Sequence, residues 1–200
     1  MGKEERKEMS YWTVEEYSKF SDEMMDKPLS YYAFQMLYWT GIRVGELLAL
    51  TAGDFDFKNN MFTINKSYQR LHGEDVITPP KTEKSNRTIK MPQFLCDEMQ
   101  EYLKMFYSPN DNDRIFPISK SYLHHEMDRG SKAAGVKRIR IHDLRHSHVS
   151  LLINQGYQAA AIADRVGHET VEITDRYTHI YPSKQSEMAN TLDELWKERK

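Results

Sequence analysis

Residues 142–152 read His-Asp-Leu-Arg-His-Ser-His-Val-Ser-Leu-Leu, and residues 167–177 read Gly-His-Glu-Thr-Val-Glu-Ile-Thr-Asp-Arg-Tyr. The first stretch opens a helix, because Leu144, His148, Leu151 and Leu152 fall on one face at helical spacing. His142 and Arg145 are three apart and project from the same side of the first turn. That end of a helix carries the positive pole of the dipole and unpaired backbone N–H groups. An imidazole and a guanidinium placed there form a site for a phosphate. Downstream, Gly167 closes the next helix, His168 supplies a second imidazole, and Tyr177 follows nine residues on.

As chemistry, these groups suit phosphoryl transfer to a protein hydroxyl: a phenol attacks, cations neutralise the non-bridging oxygens, and titratable groups handle protons. His-Asp-Leu-Arg-His, then Gly-His with a tyrosine nine residues later, resembles the tyrosine recombinase (phage integrase) family. The stretch Thr40-Gly41-Ile42-Arg43-Val44-Gly45-Glu46-Leu47 resembles that family's first arginine box. Arg43 and Glu46 share a helix face, which reads either as a surface ion pair or as an arginine held by a carboxylate with its fork aimed at a phosphate.

The resemblance implies a mainly helical α+β catalytic domain with one small three-stranded antiparallel sheet, over residues 11–182. It also implies the catalytic set Arg43, Lys81, His142, Arg145, His168 and Tyr177, with Glu46 in support. In that set Tyr177 is the nucleophile, the two arginines hold the phosphate, and Lys81 protonates the leaving 5′-oxygen. His142 assists the tyrosine proton or bonds the phosphate, and His168 holds a phosphate oxygen or orients the nucleophile. Lys84 is the alternative to Lys81. Tyr181, four residues past Tyr177, is disfavoured because Pro182 opposes helix there. A 3′-phosphotyrosyl intermediate keeps the phosphodiester energy, so neither cofactor, metal nor ATP is implied; no P-loop is present in the sequence.

Composition agrees with one domain: 200 residues, 39% of them hydrophobic, and a single cysteine, Cys96, which excludes an internal disulfide and a cysteine-built zinc site. No signal peptide or membrane-length apolar run is present, and a reducing, cytoplasmic setting is expected. The net charge is −2, yet bases cluster in residues 81–90 and 132–148 while acids crowd 4–26 and 97–113. Such sidedness builds a positive groove or simply two solvated faces. The basic residues Lys84, Arg87, Arg138 and Arg140 are the candidate DNA contacts.

Along the chain, residues 1–10 read as a disordered lead-in. A capping box at Thr13 starts a helix that stops before Pro28. An aromatic helix follows at about 30–40, its rings read as core. Strands are expected at 61–65, 76–78 and 87–91, with His72-Gly73-Glu74-Asp75 as a turn. Helices follow from Pro92, from Ser119 to about Ala134, from His142 to Gln155 and from Gln158 to Val166. Residues 183–200 form an amphipathic helix (Met188, Leu192, Leu195, Trp196) that packs on its own core or on a neighbouring protomer.

Rival readings stay on the page. His142 and His146 are spaced i, i+4 as in a zinc motif, with His168 as a third ligand, but the glutamate that should follow the first histidine is missing. A type IB topoisomerase-like enzyme would share the chemistry but relax supercoils, and an inactive module would bind DNA only. The family's preceding DNA-clamping domain is not in the sequence, so the chain reads as part of a longer protein. Its expected partners are double-stranded DNA and, at full length, three further copies in a tetramer; alone it should be a monomer that binds DNA weakly.

Overall fold

The computed structural model describes residues 10–80, 82, 85–106 and 110–168. Helix α1 spans Val14–Asp22 and starts at the expected capping box: the Thr13 hydroxyl accepts from the Glu16 N–H, and the Glu16 carboxylate accepts from the Thr13 N–H. Its inner face buries Tyr17 and Phe20. Helix α2, Pro28–Thr40, is the hub and touches α1, α3 (Val44–Ala49), α4 (Gln93–Lys104) and α6 (Asp143–Asn154). A helix contacted on so many sides must be apolar nearly all round. The aromatic run of α2 meets that need, with Phe34 and Tyr38 fully buried and Tyr31, Tyr32 and Trp39 packed against the same core. Tyr38 stacks on Tyr17 with centroids 3.7 Å apart, and Phe20 meets Phe34 edge-on at 4.9 Å. These rings are core, as the sequence suggests, and not a stacking platform for bases.

A three-stranded antiparallel sheet is present, but its membership corrects the expectation. Its order is β1 (Phe55–Asp56), β2 (Met61–Ile64), β5 (Arg87–Lys90). The Val76-Ile77-Thr78 segment belongs instead to a separate hairpin, β3 (Ser67–Leu71) with β4 (Glu74–Thr78). The physical reason lies in the turn. His72 and Gly73 both have positive φ, 52° and 88°, the signature of a two-residue hairpin turn whose twist matches its strands. Glu74 and Asp75 are therefore strand residues, paired with Leu71 and Arg70. Strand β3 lies along α3, which docks the hairpin beside Arg43.

Helix α5, Lys120–Ala133, begins where Ser119 caps the Tyr122 N–H, and His124 and His125 are exposed on it. Helix α6 buries Leu144 against the main core, while Val149 joins Ile162 and Val166 of α7 (Ala159–Val166) in a smaller cluster. The Trp12 indole donates to the Lys137 carbonyl, and its backbone N–H donates to the Ser147 hydroxyl. The chain's early segment is thereby fixed onto the entry of α6. No helix among the described residues is long and apolar enough to cross a membrane. The stretch 183–200, with its expected amphipathic helix, lies outside the described residues.

Candidate active site

The entry to α6 is set by Asp143. Its carboxylate, nearly fully buried, accepts from the Arg140 backbone N–H at 2.9 Å and from the Arg140 guanidinium at 2.8 Å. This local closure fixes the turn 140–143, so that His142 and Arg145 leave the first turn of α6 on one side, as their spacing requires. Sequence reading assigned Asp143 no role, although an acid in the first turn of a helix carries a recognisable dipole preference.

The two expected arginines arrive from distant parts of the chain and meet. Arg145, 3% exposed, donates from Nη1 to the Gly41 carbonyl at 2.8 Å. Gly41 is the turn between α2 and α3 that delivers Arg43. Arg43 in turn donates from Nη2 to the Gly167 carbonyl at 2.9 Å, beside His168. Each arginine thus braces the backbone next to another member of the set. The turn itself admits only glycine, since φ is +67° and an added Cβ would lie 2.6 Å from the His148 ring.

Electrostatics report the same convergence. Burial lowers the His142 imidazole below its ordinary pKa, and Arg145 and Arg43 push further in that direction against Asp143. His168 is pushed down to about 3 by burial and then by Arg145 and Arg43. Burial, with His142 beside it, takes His146 to about 4. All three rings are therefore neutral at physiological pH, each with one nitrogen that can accept a hydrogen bond and one N–H that can donate. The His142 and His146 rings stand edge-to-face with centroids 5.0 Å apart. Among the described residues no group of three His, Cys, Asp or Glu side chains is arranged to hold a metal ion.

Glu46 holds Arg43, but through a wider arrangement than a single ion pair. Its Oε1 accepts from Arg43 Nη1 at 2.9 Å, and its Oε2 accepts from the Arg43 backbone N–H at 2.8 Å. Arg87 grips the same carboxylate with both Nη atoms, at 3.1 and 2.9 Å. Burial raises the Glu46 pKa, but the hydrogen bonds and charges of Arg87 and Arg43 outweigh it and hold the carboxyl below its ordinary value. The expectation that Arg87 contacts DNA is thereby corrected. Its side chain is 7% exposed and bonded to protein groups. Its place in the basic run 81–90 suggested a DNA contact, whereas two of its partners, Glu46 and Arg165, lie 41 and 78 residues away.

Arg138 and Arg140 remain accessible, at 43% and 69% side-chain exposure, paired with Asp128 and Asp143 respectively. Lys81, Lys84 and Tyr177 lie outside the described residues. A cleft of about 300 Å³ is lined by Arg43, Glu46, Lys66, Pro80, Thr82 and Ser85.

Arg165 is a further residue to which sequence reading gave no role. Its Nε donates to His148 Nε2 at 3.1 Å, and its Nη1 donates to the Lys90 carbonyl at 3.0 Å. Together with the Arg87 Nε bond to the Arg165 carbonyl at 3.0 Å, this stitches the end of α7 to β5 at two points and sets the height at which His168 emerges. His148 is a structural partner here, pushed down to about 3 by burial and by Arg165.

Comparison with known proteins agrees with this geometry. The model of the phage integrase family matches residues 10–184. The ICEBs1 integrase of Bacillus subtilis (strain 168) is 36% identical over 205 residues, covering 95% of this chain and 56% of the relative. The chain spans about half the length of the curated relatives it matches. The Tn1549 transposon integrase, solved in complex with transposon right end DNA, superposes with a TM-score of 0.78 at 20% identity, over 94% of this chain and 67% of that one. The catalytic domain of bacteriophage HP1 integrase superposes with a TM-score of 0.64 at 21% identity, covering 92% of this chain and 95% of that domain. The fold is thus that of tyrosine recombinase catalytic domains, and with a match from residue 10 to residue 184 the chain belongs to the phage integrase family.

Proposed function

We propose that this chain is the catalytic part of a tyrosine-type site-specific DNA recombinase, cutting and rejoining double-stranded DNA through a 3′-phosphotyrosyl intermediate. The observation that carries the reading is the convergence of Arg43 and Arg145 on two neutral imidazoles, His142 and His168, across more than a hundred residues of sequence. Two permanently charged forks, Arg145 buried and Arg43 partly exposed, are well matched to a phosphodiester whose non-bridging oxygens gain charge during attack.

In the proposed reaction Tyr177 Oη forms a bond to phosphorus while the bond to the 5′-oxygen breaks. The tyrosine proton passes to a neutral imidazole, His142, or through it to water, and Lys81 supplies the proton that the departing 5′-oxygen needs. His168 donates its ring N–H to a phosphate oxygen or orients the nucleophile. Rejoining runs the same steps backwards with a 5′-hydroxyl from a partner strand, so no external energy source enters. In the proposed assembly the reaction takes place in a tetramer that pairs two DNA sites.

The test is a nicked duplex pool with randomised sequence, in which the short 5′-hydroxyl strand diffuses away after cleavage and traps the covalent complex. Wild-type protein should accumulate an SDS-resistant adduct. Tyr177→Phe should give none, and Lys81→Ala should slow it by ~10²–10⁴, the range for loss of a general acid. An adduct that survives Tyr177→Phe sinks the assignment. Strand exchange between two labelled duplexes, measured in the full-length protein, separates recombination from simple relaxation.

A further inference from the structure

We infer that Arg87 is a positioning residue for this reaction, a single buried guanidinium that joins the carboxylate aiming Arg43, the Ser85 carbonyl ahead of β5, and the helix end that presents His168. The inference rests on the strand-cleavage reading above and adds to it a residue that touches no DNA. Four of the five N–H donors of an arginine are in use on protein atoms. Nη1 and Nη2 grip the two Glu46 oxygens, Nη1 also donates to the Ser85 carbonyl at 3.0 Å, and Nε donates to the Arg165 carbonyl at 3.0 Å.

Each of those contacts leads to a different part of the site. Glu46 holds both the backbone N–H and the guanidinium of Arg43. Ser85 lies two residues ahead of β5. The Arg165 carbonyl lies in the last turn of α7, two residues ahead of the Gly167 carbonyl that Arg43 itself holds. The result is a closed circuit, Arg87 to Glu46 to Arg43 to Gly167 and back along α7 to Arg165 and Arg87. In a circuit of this kind no single member can shift without breaking bonds at two others.

A planar fork is needed to do this. A lysine at position 87 would carry the same charge but present three donors from one point, and could not span two carboxylate oxygens and two carbonyls that lie in different directions. A function of this kind predicts that Arg87 acts through Arg43 and not beside it.

The experiment uses the chain with Arg87→Lys, Arg43→Ala and the double variant, on the nicked duplex pool. Arg87→Lys should form adduct about 100-fold more slowly while its affinity for DNA stays within about threefold of wild type. The double variant should be no slower than Arg43→Ala alone, since residues that act as a unit are not additive. Independently of cleavage, the Arg43 Nε–H resonance should broaden or move in Arg87→Lys. A loss of DNA affinity matching the loss of rate would mean that Arg87 touches the backbone, and rates that multiply in the double variant with an unmoved Arg43 resonance would mean that it serves the fold alone; either overturns the inference. Should Arg87→Lys fail to fold, the paired Glu46→Gln, Arg87→Gln variant removes both buried charges together and is read by the same criteria. If wild-type protein forms no adduct, the cleavage reading fails, and the Arg43 resonance alone then decides whether Arg87 orients that side chain.

Discussion

Mild acid should unfold this domain, and histidines should be the cause. His146, His148 and His168 have pKa values pushed down to about 4, 3 and 3. In the unfolded chain each returns to ~6.5. Between about pH 6.5 and pH 4, therefore, the unfolded state binds protons that the folded state refuses, and stability falls as pH falls. For one such histidine the loss from pH 7 to pH 5 is about 1.5 pH units at ~1.36 kcal/mol each, or roughly 2 kcal/mol. Three together remove about 6 kcal/mol, comparable to the whole stability of a typical domain at 5–15 kcal/mol. Glu46 and Glu126, whose carboxyls are held below their ordinary values, contribute stability that is lost only at lower pH, so they leave this window to the imidazoles. Urea unfolding curves at pH 7, 6 and 5, at fixed ionic strength, would give the slope. His148→Gln keeps an acceptor for the Arg165 Nε–H and should flatten the dependence by about one proton. A loss between pH 7 and pH 5 of less than about 2 kcal/mol, or an unchanged slope in His148→Gln, would refute the reasoning.

Two further outcomes follow from the site. Gly41→Ala should destabilise the fold by about 2–5 kcal/mol, the sum of an αL strain of ~1–2 and an overpacking cost of ~1–3, measured by thermal or urea unfolding; because Arg145 holds the Gly41 carbonyl, surviving protein should also form adduct poorly. Arg138→Gln and Arg140→Gln should each weaken DNA binding several-fold and reduce the slope of log affinity against log salt by about one, whereas Arg87→Gln should leave that slope alone.

The local features of the fold were legible because their causes are local. The Thr13–Glu16 box, the Ser119 cap and the His142–Arg145 spacing each depend on residues within one helical turn, and the structure has all three. The hairpin at 67–78 was missed for an equally physical reason. Strand β3 alternates weakly, with Tyr68 inward but Leu71 exposed, and the two-residue strand β1 is too short to leave a pattern. At the site, the arginine boxes were legible through their resemblance to a known family, whereas the destinations of Arg87 and Arg165 were not. A guanidinium on a strand or in the last turn of a helix looks the same in sequence whether it faces solvent or a carboxylate brought from 41 residues away. Asp143 and Glu46 mark the same boundary: each is an acid near a helix start, and only the fold tells which one also serves a second cation.

The reciprocal bracing of Arg43 on Gly167 and of Arg145 on Gly41 bears on how such domains exchange parts. Neither half of the chain holds its own arginine in place unaided, because each supplies the carbonyl that steadies the other half's guanidinium. Chimaeras joined between α4 and α5 would inherit both arginines and still misplace them unless the two donor proteins set those carbonyls at matching heights. Grafting one box at a time is thus expected to yield well-folded but inert hybrids, and activity should return only when the opposing loop is transplanted from the same parent.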